Sequence, residues 1–212
     1  MSLVGDMRAV ARSYFESVSP AHDWHHVQRV EALAERLLAE YEGDADPETV
    51  RLAVLLHDIG RPREDRGVVD DHAEWGAREA RRLLEKRRID PERVDAVCHA
   101  VRVHRYSNDH EPGSPEAKLV CDADNLDALG AVGLARCFTY GGEHGEVIHN
   151  PDRPPTDDDT AEGATQYNHV HKKLLDLPDR MYTDAGRRVA ADRAAFLRAF
   201  VARFDREVRG ER

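Results

Sequence analysis

Apolar residues recur at helical spacing along nearly the whole chain, and alternating runs of the β type are essentially absent. Val10, Tyr14, Phe15 and Val18 share one face of a segment over Met7–Val18. Asp23 is placed to cap a second helix, with Val27, Val30, Leu33, Leu37 and Leu38 as its buried stripe. Asp46-Pro47 opens a third, whose continuation RLAVLLHDIG is apolar on most sides and so belongs at the centre of a fold. Gly60 sits where a C-terminal glycine belongs, and Pro62 forbids continuation. Asp70 or Asp71 caps a fourth helix to about Arg87, and Asp90-Pro91 opens a fifth to about His104. After a loop over Ser107–Ser114, Ser114-Pro115 opens a sixth helix through Leu129, and Gly130 and Gly133 mark a break before Leu134–Tyr140. Helical pattern resumes over Tyr167–Leu177 and ends with a helix over Asp184–Val208. The expectation is an all-α fold, a compact multi-helix bundle forming one domain over residues 1–212. Gly141–Thr160 stands apart, with Pro151, Pro154, Pro155 and the run Asp157-Asp158-Asp159. It reads as a long, flexible, exposed loop, a surface insertion before a lid.

Charge narrows the function classes. The net charge is −10, with 27 arginines against 4 lysines. Such a surface repels a phosphate backbone, so nucleic acid is not an expected partner. It also repels small anionic substrates, so a phosphate site here needs a cation. No apolar run is long enough to span a membrane, and MSLVGDMRAV lacks the charged and apolar regions of a leader. Cys98, Cys121 and Cys137 form no CxxC pair and read as small core residues in a reducing cytoplasm.

The chemistry concentrates in the placement of the 12 histidines. His57-Asp58 ends the apolar helix, where an ionised aspartate is unfavourable unless a divalent cation, backbone or an arginine compensates its desolvation. His26 sits at the edge of the Val27/Val30 stripe, able to face a site between helices. Asp122, Asp124 and Asp127 crowd a short apolar stretch, and their repulsion asks for a cation or arginines unless they are caps or solvated. Trp24 and Trp75 read as core rather than as base-stacking residues.

In this order the residues resemble the HD-domain metal-dependent phosphohydrolase superfamily, in particular its small single-domain hydrolases. The matching segments are HDWHHVQRV at 22–30, LLHDIGRP at 55–62, KLVCDADNLDALGAVGLAR at 118–136 and NHVHKKLLDLPDRMYT at 168–183. The resemblance implies one divalent metal ion (Mn, Fe, Co, Ni, Zn or Mg) held by His26, His57, Asp58 and Asp124, with Asp122 competing for the last place. Of the histidines between doublet and last aspartate (His72, His99 and His104), His72 and His104 match the expected positions best. The adjacent histidine pair of the two-metal subgroup is absent, so a single-metal site is expected, with these two histidines facing substrate and stabilising the leaving oxygen. Arg29, Arg61 and Lys173 are candidate phosphate contacts. Asp127 orients a ligand or makes a structural ion pair, and His169 takes a site or structural role.

A bound cation would lower the pKa of water and offset charge in the transition state. The expected substrate is a phosphate ester or anhydride, a nucleotide in the first instance, with a nucleoside triphosphate split to monophosphate and pyrophosphate. Nucleoside monophosphatase activity and a non-catalytic metal or nucleotide sensor stay open, as does a homodimer; no membrane partner is expected.

Overall fold

The structure is a computed structural model that describes residues 2–16, 18–105 and 111–211. The described residues are helical with no strand among them, an all-α fold as expected. In chain order the helices are α1 (Leu3–Arg12), α2 (Trp24–Glu40), α3 (Pro47–Leu56), α4 (Arg61–Glu64), α5 (His72–Glu85), α6 (Pro91–Val103), α7 (Pro115–Asp127), α8 (Gly130–His144), α9 (Gln166–His169) and α10 (Asp184–Val208). The chain divides into two compact units, Met1–Asp124 and Asn125–Arg212, with the division inside α7. No described helix is long and apolar enough to cross a membrane.

In the first unit, the aspartates chosen as caps act as caps. Asp23 accepts from the His26 amide, Asp46 from Glu48 and Thr49, Asp71 from Ala73 and Glu74, and Asp90 from Glu92 and Arg93. Each satisfies amides that the helix start leaves unpaired, worth about 1 kcal/mol. Helix α3 is the core: Thr49, Val50 and the run Leu52–Leu56 are buried, and it packs against α1, α2 and α6. Each fully buried leucine contributes roughly 1.5–3 kcal/mol. This packing fixes where His57 and Asp58, at the end of α3, are delivered.

Several boundaries differ from expectation. Ser2 caps α1 through the Gly5 amide, so this helix starts earlier than Met7, and it gives way to a tighter turn at Ser13–Phe15. Gly60 does not close α3 with a left-handed residue; its φ is −85°. Glycine is required there because an added Cβ would lie 2.2 Å from the His72 carbonyl oxygen. Pro62 does not end helical structure either: it fits the first turn of α4. Half of the loop expected at Ser107–Ser114, residues 107–110, lies outside the described residues.

In the second unit, α10 packs against α8 and the turn Leu177–Arg180. Helix α8 runs on to His144, where Gly145, at φ 67°, closes it. The following irregular segment is not a uniformly exposed loop. The Asp158 side chain is fully buried, whereas Asp159 is 91% exposed. Asp158 accepts from the Thr160 amide and hydroxyl, the Ala164 amide and Asn168 Nδ2. Lys172 Nζ donates to the carbonyls of Asp158 and Thr160. One aspartate of the acidic run is thus a clasp, and these bonds hold its carboxyl well below the usual range.

Gly60→Ala should lower the denaturant midpoint by the equivalent of about 1–3 kcal/mol, because backbone rather than a flexible side chain blocks the methyl. An unchanged midpoint in equilibrium unfolding would show that the contact relaxes freely.

Candidate metal centre

Five histidine and aspartate side chains converge in the first unit around Asp58, which is 4% exposed. His26 comes from the first turn of α2, His57 and Asp58 from the end of α3, His72 from the start of α5, and His104 from the residue after α6. His26, His57, His72 and His104 are all buried. Asp58 Oδ2 lies 3.5 Å from His26 Nε2 and 3.8 Å from His57 Nε2. Its Oδ1 lies 3.3 Å from His72 Nε2 and 3.5 Å from His104 Nε2. The carboxylate therefore presents one oxygen to each pair of imidazoles. Asp124 Oδ1 joins the first pair, 3.4 Å from His26 Nε2 and 3.8 Å from His57 Nε2.

The tautomers follow from the partners. His57 Nδ1 is 2.7 Å from the Val54 carbonyl, and His104 Nδ1 is 2.7 Å from the Val101 carbonyl. A carbonyl only accepts, so each Nδ1 carries the proton and each Nε2 of the neutral ring carries a lone pair. Burial pushes the His57 pKa down to about 4, so that ring is neutral at pH 7. Burial alone would raise the Asp58 carboxyl, but the field of His57 and the contacts of His104, His26 and His72, whose rings gain Nε2–H when they protonate, hold it well below the usual range. Burial likewise opposes ionisation of Asp124, and the bond from His26 with the fields of His57 and His26 overcomes it.

This donor set fits a divalent cation. His26, His57 and Asp124 form one group of mutually close ligand atoms, and His57, Asp58 and His104 form a second that shares His57. The Nε2 atoms of His26 and His57 face each other at 3.2 Å. With a lone pair on the His57 atom and two carboxylates alongside, a positive charge at this point relieves the repulsion. Asp122, two residues from Asp124 on α7, belongs to neither group and is fully buried.

The other candidates lie as follows. Arg29 lies three residues after His26 on α2, just under one helical turn, and is half-buried. Arg61 begins α4 and pairs with Asp65 at 2.9 Å and Glu64 at 3.5 Å. Asp127, His169 and Lys173 lie in the second unit. There Asp127 is buried and accepts from Arg136 at 2.9 Å. His169 Nδ1 donates to the Glu162 carbonyl, and Lys173 lies 3.9 Å from the Glu162 carboxylate. Trp75 packs edge-on to Tyr14 and under the Arg63 guanidinium. Sequence reasoning missed Glu64 and Arg105. Glu64 Oε2 accepts from His72 Nδ1 at 2.8 Å, and its Oε1 accepts from Arg105 at 2.8 Å. Burial opposes charge on Glu64, but His72, Arg105 and Arg61 pull its pKa down to about 2. His72 in turn is pushed up, against its burial, to about 9 by Asp58 and Glu64.

Comparison with known proteins matches this arrangement to a family. Residues 23–129 match the model of the HD domain. The chain belongs to the HD-domain family. It is 33% identical over 208 residues to YpgQ of Bacillus subtilis, covering 96% of this chain and 93% of that protein. An HD-superfamily hydrolase from Bacillus thuringiensis superposes with a TM-score of 0.76 at 30% identity, covering 98% of this chain and 97% of that one. YpgQ crystallised in complex with ADP superposes with a TM-score of 0.73 at 29% identity, covering 97% of each chain. The chain is accordingly a metal-dependent hydrolase.

Manganese or zinc in excess should stabilise the protein, by about 2.7 kcal/mol at a hundredfold excess over Kd. His26→Ala and Asp58→Ala should lose that shift in thermal unfolding and the bound metal in elemental analysis. Wild-type metal content in both variants would contradict the site.

Proposed function

We propose that this HD-domain protein is a phosphohydrolase that splits a nucleoside triphosphate into monophosphate and pyrophosphate, using one divalent cation held by His26, His57, Asp58 and Asp124. The observation that supports this reading is that one oxygen of Asp58 and one of Asp124 each lie within 3.4–3.8 Å of both His26 Nε2 and His57 Nε2, with His72 and His104 on the remaining oxygen of Asp58. The nucleotide part draws support from YpgQ, which was crystallised with ADP. The net charge of −10 adds a physical reason for a cation, since an anionic substrate meets a repulsive surface.

When bound, the cation supplies Lewis acidity toward a phosphoryl oxygen and lowers the pKa of water. The chain supplies orientation and protons. The Val54 and Val101 carbonyls hold the His57 and His104 rings with Nε2 turned inward. His72 keeps its Nδ1 proton on Glu64 and offers Nε2–H to the leaving-group oxygen. His104 faces the substrate beside it. Arg29 and Arg61 are assigned to phosphate oxygens. Lys173 remains a candidate phosphate contact, His169 takes a site or structural role, and Asp127 orients a ligand or makes a structural ion pair with Arg136. The three buried, free cysteines support a reducing compartment such as the cytoplasm.

A panel of nucleoside tri-, di- and monophosphates with Mn, Co, Ni, Mg and Zn supplied separately tests the reading. Triphosphates should yield monophosphate and pyrophosphate, and Asp124→Ala should lower kcat by at least about a hundredfold. Orthophosphate released only from monophosphates, or wild-type turnover in Asp124→Ala, would overturn it.

A further inference from the structure

Glu64 is neither a candidate metal ligand nor a candidate phosphate contact, yet it is built into the centre. It ends α4, a helix of only one turn, in a stretch, Arg61-Pro62-Arg63-Glu64-Asp65-Arg66, that looks like charged surface. Yet its side chain is only 16% exposed. The Glu64 amide bonds back to the Gly60 carbonyl at 3.2 Å, so the residue is tied to the turn that follows His57-Asp58. Its carboxylate takes hold of His72 twice. Oε2 accepts from Nδ1 at 2.8 Å, and Oε1 accepts from the backbone amide at 3.4 Å. The same Oε1 accepts from Arg105 at 2.8 Å, and Arg105 is the residue after His104. Glu64 therefore joins the residues that carry both imidazoles on the Asp58 Oδ1 side.

That hold has a geometric consequence. An imidazole at a helix start turns about χ1 and χ2, and a single bond at Nε2 leaves this freedom largely intact. A second bond at Nδ1, on the opposite edge of the ring, removes it. With Nδ1 on Glu64, the other edge of His72 points at Asp58 Oδ1, 3.3 Å away, and at His104 Nε2, 3.4 Å away. Because a carboxylate at Oε2 only accepts, it also requires the proton at Nδ1.

We propose that Glu64 is the positioning residue for His72: it fixes the orientation of the ring and the proton at Nδ1, and acts on phosphoryl transfer only through that histidine. The inference rests on the phosphohydrolase reading for its kinetic consequence, but not for its structural one. Removing such a partner from an active-site histidine lowers activity by about 10- to 100-fold.

The test uses the full-length protein and the variants Glu64→Ala and Glu64→Gln. In the metal-free proteins, 15N-edited NMR of the histidine rings reads which nitrogen of His72 carries hydrogen. Wild type should show a protonated, strongly hydrogen-bonded Nδ1, and Glu64→Ala should lose that signature. In the metal-loaded enzymes, Glu64→Ala should drop about 10- to 100-fold in kcat with KM little changed and metal content intact. Glu64→Gln keeps an acceptor for Nδ1–H, so its kcat should lie between those of Glu64→Ala and wild type. Should Glu64→Ala fail to fold, the ring signature and kcat of Glu64→Gln, each displaced from wild type, carry the test. Identical His72 ring signals in wild type and a folded Glu64 variant would overturn the proposal, as would an unchanged kcat. Absence of turnover by wild type on every nucleotide would instead count against the phosphohydrolase reading, and the ring signals would still decide the role of Glu64.

Discussion

The first unit is organised around one constraint, the need to accommodate the ionised carboxylate of Asp58 almost out of contact with solvent. A carboxylate in that position costs several kcal/mol unless its lone pairs are occupied. Here each oxygen faces two imidazole nitrogens, one of each pair (His57 and His104 Nε2) bearing a lone pair in the neutral ring, so that a cation would complete what the N–H groups leave unmet. The four rings come from α2, the end of α3, the start of α5 and the end of α6. The carboxylate therefore needs four segments in register at once. The packing of α3 against α2 and α6 supplies that register, which is why its face is leucine and valine and why glycine is required at 60.

His57 and His104 solve the same local problem in the same way. Each follows the last residue of a helix and donates Nδ1–H to the carbonyl three residues back, one that the helix end leaves unpaired. A single bond thus satisfies an orphan acceptor and sets a tautomer, and it turns both Nε2 lone pairs toward Asp58. His72 lacks such a carbonyl because it starts a helix, and a side chain, Glu64, takes its place. The helix direction at each histidine explains which kind of partner holds it.

Much of this was legible in the sequence. The Asp-Pro openings and the apolar run before His57-Asp58 mark α3 without ambiguity, since cap, first-turn proline and burial agree. The ordered set of His26, His57-Asp58 and the aspartate helix points to the cluster through family resemblance. Asp124 and Asp122 could not be separated, because both lie among apolar neighbours; they stand about 200° apart, on nearly opposite sides of the helix, and the sequence does not say which side faces His26 and His57. Their difference is one of rotation, visible when α7 is placed against its neighbours. Glu64 and Asp158 were hidden for another reason. Each stands in a charged run, and only tertiary structure distinguishes the one residue that turns inward from companions that stay in water. Gly60 was marked as special, but for a left-handed turn rather than for the close approach of the His72 carbonyl.

If the centre holds a cation, it does so where Asp58 Oδ2 and Asp124 Oδ1 face the same two imidazoles, those of His26 and His57. Crystals grown with manganese and measured at its absorption edge test this most directly. An anomalous peak should appear at coordination distance from His26 Nε2, His57 Nε2, Asp58 Oδ2 and an Asp124 oxygen. Full-occupancy manganese elsewhere, with those four side chains paired only to one another, would contradict it.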